Sequence, residues 1–206
     1  MLTLPGSLGP EPGPARPAPP ALRRADPLAA SLAFLLVLAD LVAGGNGLLG
    51  LIGLLDTVTA LPRAAFVVPV LMLLRELIAE RDSSRSLSLA LLGLTLASAA
   101  WSLSDGAFGL TTVNVRSRPL PPLPVAFFLL LLLTRFVSGA FSIAVAILLF
   151  ARPELGGLLL AFGVCCLLAG LAYVTVLEGG LGPFPEAVGA ILLAVRFLRR
   201  TVVALR

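Results

Sequence analysis

Apolar runs separated by short charged or proline-bearing breaks organise most of this chain. The runs fall at 28–55, 57–74, 87–104, 124–150, 155–177 and 184–205, each reaching the roughly 17 residues or more that a helix needs to cross a bilayer. In hydrocarbon every backbone N–H and C=O must be satisfied within the segment, so runs of this kind predict helices. The pattern therefore predicts an all-α integral membrane protein, a bundle of about six transmembrane helices. Arg75-Glu76 with AERDSSRS, Asp105-Gly106, and Arg152-Pro153-Glu154 punctuate the runs, and the longest internal loop passes through Asn114, Arg116 and Arg118 to Pro119-Leu120-Pro121-Pro122.

Two runs depart from a plain span. The first, at 1.5 Å per residue, makes about 42 Å of helix against a hydrocarbon core of about 30 Å, so it must tilt or break. Gly44-Gly45-Asn46-Gly47 is the expected place for a break, since glycine weakens helices. The last run carries Glu186, Arg196, Arg199 and Arg200 and is the least apolar in appearance. Ahead of the first run, residues 1–26 hold seven prolines and no periodicity, and they read as a disordered cytoplasmic tail. Arg23-Arg24 before an apolar run raises a twin-arginine leader as the competing reading. Asp40 interrupts the apolar stretch and the cleavage candidate at Leu41-Val42-Ala43 is poor, which favours an uncleaved anchor.

Composition agrees with the pattern. A mean hydropathy of +1.05 and 58% hydrophobic residues exceed soluble usage, and charged residues, at 13%, are about half their ordinary share. The net charge is +4, but the arginines gather at span ends without interleaved aromatics, so orientation explains them better than nucleic acid does. With the N-terminus inside, Arg16, Arg23, Arg24, Arg75, Arg81, Arg85, Arg152, Arg196, Arg199, Arg200 and Arg206 fall on the cytoplasmic side, and Arg63, Arg116 and Arg118 outside. That asymmetry predicts an even number of spans with both termini cytoplasmic, in a cell membrane of bacterial or archaeal inner-membrane type.

The alphabet is as informative as the pattern: there is no histidine, lysine or glutamine. Histidine-based general bases, HExxH zinc sites and lysine Schiff bases are thereby excluded. Spaced or paired intramembrane aspartates are missing, and GGNG lacks the GK[ST] ending of phosphate loops. Adjacent Cys165 and Cys166 lack CxxC spacing and read as small buried hydrophobes. The expectation is no enzyme, no metal and no cofactor.

The residues that remain are few. Asp40 and Arg135 both fall near mid-depth, where an isolated charge costs about 2.5–3.5 kcal/mol, so an ion pair between them is expected. Gly157, Ala161, Cys165 and Ala169 on the fifth span, and Ser138, Ser142 and Ala146 on the fourth, recur at every fourth position as helix-packing faces. Arg196, Arg199, Arg200 and Arg206 share an arc of the last helix suited to anionic headgroups.

The stretch RFVSGAFSIAVAILLFARPELGGLLLAFGVCCLLAGLAYVTVL, from Arg135 to Leu177, is loosely similar to the helical hairpin of HdeD-type six-span proteins; it covers about a fifth of the chain and brings no function with it. From sequence the favoured reading is a non-enzymatic scaffold or accessory subunit. Its partners would be the lipid bilayer and a membrane protein or a second copy. The alternative is a small transporter or channel with a polar site around Asp40, Asn46 and Arg135, and a cavity at Asp40 would reverse that order.

Overall fold

The structure, a computed structural model, describes residues 25–49, 54–80, 84–113, 122–175 and 182–204. The tail at 1–24, Arg81, the loop carrying Asn114, Arg116 and Arg118, and Arg206 lie outside the described residues, as do the side chains of Gly44, Gly45, Asn46 and Gly47. The described residues form helices α1 (Ala25–Leu49), α2 (Leu54–Ala79), α3 (Arg85–Val113), α4 (Pro122–Phe150), α5 (Gly157–Val174) and α6 (Pro183–Ala204). They make an all-α bundle of membrane type. Four helices carry stretches long and apolar enough to cross a membrane, at Val58–Ala79, Arg85–Phe108, Phe128–Phe150 and Gly157–Val174, and α1 holds a shorter apolar stretch, Pro27–Val42.

Each helix packs against its neighbours in sequence, and α1 closes the circle against α6. The links are short, so consecutive helices run antiparallel. The result is a ring of six with its axis along the helices.

Several boundaries differ from the apolar pattern for physical reasons. Helix α2 continues past Leu74 through Arg75-Glu76 to Ala79, and α3 past Ser104 through Asp105-Gly106 to Val113, because a charged residue ends an apolar run without ending a helix. The break expected at Gly44, Gly45, Asn46 and Gly47 does not occur there: α1 continues to Leu49 and α2 begins at Leu54. A helix that continues keeps the backbone groups of those residues bonded, which outweighs the weak helix preference of glycine. Helix α2 accordingly starts before Thr57, and it runs through Pro62 and Pro69. Between α4 and α5 the chain turns through a 3-10 turn, Pro153–Leu155, which ends on Gly156 at φ 102°. That left-handed backbone favours glycine, and it delays α5 to Gly157.

Burial is inverted relative to a water-soluble protein. Leu61, Leu89 and Leu96 are 65%, 63% and 64% exposed on the outer surface, whereas Asp40, Arg63, Ser98, Ser102, Ser138 and Ser142 are buried. Apolar side chains facing outward around the ring suit lipid. The apolar core is concentrated in the half near the α2–α3 link and the α4–α5 turn, around Leu74, Leu87, Leu91, Leu149, Leu159 and Phe197.

Candidate functional site: a polar layer across the ring

The ends of α2, α4 and α6 and the starts of α3 and α5 gather Arg75, Arg85, Arg152, Arg196, Arg199 and Arg200 at one end of the bundle. Counted from that end, Asp40 on α1, Arg63 on α2, Trp101 on α3, Arg135 on α4, Tyr173 on α5 and Glu186 on α6 stand 15 to 18 residues along their helices, roughly 23–27 Å at the helical rise. Each of the six helices therefore contributes one charged or aromatic residue to a single layer. That layer lies in the half remote from the arginine-rich end.

Arg63 is its centre. Its Nε donates to Asp40 Oδ1 at 2.7 Å. Its Nη2 donates to Glu186 Oε2 and, at 3.4 Å, to the Tyr173 hydroxyl. The guanidinium carbon stands 4.0 Å from the Trp101 ring centroid, a cation–π contact that fixes its plane. Trp101 in turn packs on Tyr173, centroids 4.8 Å apart and planes at 53°. Desolvating three charges costs several kcal/mol per ion, and only this dense set of partners returns it. With two carboxylates to one guanidinium, the triad is one acid in excess.

The placement of Asp40 beside Arg63 follows from the α1–α2 hairpin. Asp40 precedes Leu49 by nine residues and Arg63 follows Leu54 by nine, so the antiparallel pair puts both at one height. The expectation that Asp40 pairs with Arg135 is corrected here: Asp40 bonds to Arg63. Arg135 instead stands over the other side of the layer, its guanidinium carbon 5.5 Å from the Tyr173 ring centroid. Among the described residues its buried Nε and Nη2 have no hydrogen-bond acceptor.

Below and beside the triad the ring encloses a cavity of about 60 Å³, to which all six helices contribute, among them Asp40, Arg63, Ser98, Ser102, Ser142, Cys165, Cys166 and Glu186. Ser98 and Ser138 join α3 to α4 through their hydroxyls at 3.2 Å, and Ser102 donates back to the Ser98 carbonyl at 2.9 Å. By the usual requirement of about 10–15 Å³ per water, the space has room for roughly four to six waters.

The remaining expected sites are used differently from one another. Ser138, Ser142 and Ala146 are buried, as are Cys165 and Ala169, whereas Ala161 is half-buried and Gly157 is exposed, with open space around it. Helices α4 and α5 come close at Gly139 and Gly170, where a Cβ on Gly170 would meet the Gly139 carbonyl oxygen at 2.7 Å. Cys165 faces α6, its Cβ 3.4 Å from where Gly189 would carry one. On α6, Arg200 bonds Glu80 at 2.8 Å and Arg196 reaches the Leu155 carbonyl at 3.5 Å, tying α6 to its neighbours, while Arg199 is exposed.

Sequence reasoning placed Arg63 in an outer loop, treated Glu186 only as a blemish on the last span, and did not consider Trp101 or Tyr173. The available signal was the single tryptophan and single tyrosine of the chain, together with the symmetric spacing of Asp40 and Arg63 about the α1–α2 link. No protein-family model, curated protein or solved structure matches this chain.

Proposed function

We propose that this chain is a small membrane transporter whose solute site is the Asp40–Arg63–Glu186 triad inside the helix ring. The observation that carries the reading is that the triad borders a cavity instead of being sealed by apolar packing. Charges buried in a bundle interior mark solute, ion or proton pathways when they face space that water or a ligand can occupy. A purely structural clamp is better served by dry packing around the pair, because residual space weakens it. The scaffold reading draws less support, since the small-residue face of α5 turns largely into the bundle and leaves little of itself for a partner.

In this reading both termini and the arginine-rich end face the cytoplasm, and the triad layer lies in the outer half. The arginine asymmetry supports that orientation.

Vesicle swelling followed by light scattering tests the transport reading. The full chain is reconstituted in proteoliposomes and transferred to isosmotic salts that differ in their anion or their cation. Faster swelling than protein-free vesicles in at least one salt, lost in Glu186→Gln at unchanged thermal stability, is expected. Swelling equal to that of empty vesicles in every salt overturns it.

A further inference from the structure

We infer that the cavity inside the ring binds a small protonated amine, its ammonium group held by oxygens of Asp40, Glu186, Ser102 and Ser142 and its short alkyl part by the apolar wall. The inference deepens the transporter reading by naming a class of solute, and it rests on that reading only for the claim that the ligand moves. Charge is the first observation. Two carboxylates and one guanidinium border the cavity, so with both acids ionised its lining carries one negative charge in excess. In a low-dielectric interior an unbalanced charge is costly. A monovalent cation removes the excess, and an anion would double it.

The second observation is a set of oxygens without donors. Each acid gives one oxygen to Arg63, Asp40 through Oδ1 and Glu186 through Oε2, and the other oxygen of each takes no hydrogen bond among the described residues. The Ser102 hydroxyl spends its hydrogen on the Ser98 carbonyl at 2.9 Å, so only lone pairs remain to it. Ser142, 3% exposed, lines the same cavity from α4 and bonds to nothing among the described residues. This hydroxyl is independent of the acid pair. A buried polar group with no protein partner, on a wall that faces space, takes its partner from that space.

The rest of the wall decides the kind of cation. Leu36, Val67, Val70, Leu94, Phe162 and Leu193 line it, a surface that suits an alkyl group and not a hydrated metal ion. Among the described residues no three His, Cys, Asp or Glu side chains gather as metal ligands. The helices also run unbroken past the cavity, whereas alkali-ion sites in transporters draw on carbonyls of unwound helix. An ammonium group needs neither device: its N–H hydrogens go to the carboxylate and hydroxyl oxygens as charge-assisted bonds. Arg63 leaves the site open to a cation, because Asp40, Glu186 and the Trp101 ring cover its charge. A cavity of about 60 Å³ keeps the alkyl part short.

Trp101 is the sole tryptophan and lies against Arg63, so its fluorescence reports on the site. The detergent-purified full chain is titrated at neutral pH with methylammonium, ethylammonium, tetramethylammonium and potassium chlorides, each replacing sodium chloride at constant ionic strength. Melting temperature is followed in parallel, since a ligand that binds the folded state raises it. Methylammonium and ethylammonium should give a saturable response in at least one readout. Potassium should give none, nor should tetramethylammonium, which has no N–H to donate. Glu186→Gln removes the excess charge and should weaken binding about tenfold or more. Ser142→Ala should weaken it about three- to tenfold while leaving the ligand-free protein as stable or more so, because the hydroxyl it removes has no partner to lose. No saturable response to either amine, an equal response to potassium or tetramethylammonium, or wild-type affinity in either variant each overturns the inference. Amine binding without faster vesicle swelling in any salt would sink the transport reading and leave the site standing. Faster swelling in sodium or potassium salts with no amine response would do the reverse.

Discussion

Arginine does opposite work at the two ends of this bundle. At the rim, Arg75 donates to Ser88 and Arg152 to Ser84, each at 2.7 Å, and Arg200 pairs with Glu80 at 2.8 Å. These side chains tie helix ends together where water is near: Arg200 and Glu80 stay 19% and 30% exposed. In the opposite half, Arg63 at 6% exposure holds two acids and an aromatic face. The same guanidinium chemistry is therefore a modest stitch in one place and an electrostatic keystone in the other. Burial makes the difference: a rim charge released from its partner turns to bulk water, but a carboxylate released from Arg63 meets at most the few waters that the cavity has room for.

That contrast is open to breakage by substitution. The largest effect is expected at Arg63→Leu, which strands Asp40 and Glu186 and should cost about 3–5 kcal/mol in reversible unfolding from mixed micelles. Adding Asp40→Leu to it should recover part of the loss. If the double variant loses the sum of the two single losses, the two residues are not energetically coupled. Next in size is Gly170→Ala, whose new methyl meets the Gly139 carbonyl oxygen at 2.7 Å, with about 1–3 kcal/mol lost to overpacking. The same assay should show Gly157→Ala to be neutral or better, since nothing stands within 4 Å of that position.

Smaller still is Arg200→Ala at the rim, expected to cost about 1 kcal/mol or less and to shrink further as salt is raised. A loss there as large as that of Arg63→Leu would erase the distinction between the ends. Arg135→Leu sharpens the comparison from the other side. Removing buried nitrogens that lack acceptors should leave the ligand-free protein unchanged or more stable by about 1 kcal/mol. A severe loss on Arg135→Leu would show that its guanidinium holds a partner beyond the described residues.

Much of the fold was legible in the apolar pattern, because hydrocarbon permits only one way to satisfy a spanning backbone. The runs at 124–150 and 184–205 fall within two residues of α4 and α6. The site was legible in part. Asp40 stood out as an acid inside an apolar run and is indeed buried at the centre. Its partner was missed because the first run was read as reaching residue 55. That shifted the α1–α2 turn by a few residues and lifted Arg63 out of the membrane. Such a shift is small along the chain, but at 1.5 Å per residue it moves a charge by about 5 Å in depth. Glu186 and Tyr173 were beyond local reading. Their meeting with Arg63 depends on α6 closing the ring against α1, and ring closure leaves no mark on either segment alone.

The account turns on whether the charged layer borders a space that solutes reach. Substituted-cysteine labelling at Ser142 measures this directly, in a chain whose Cys165 and Cys166 are replaced by alanine so that the new thiol is the only one. The hydroxyl of Ser142 lines the cavity on α4. A small charged methanethiosulfonate reagent applied to oriented vesicles should modify Ser142→Cys from one side of the membrane, and Arg63→Gln should change that rate. A thiol that stays unmodified from both sides, in protein that reacts fully once unfolded, would mean that the centre of the ring is closed and that the triad is a structural clamp.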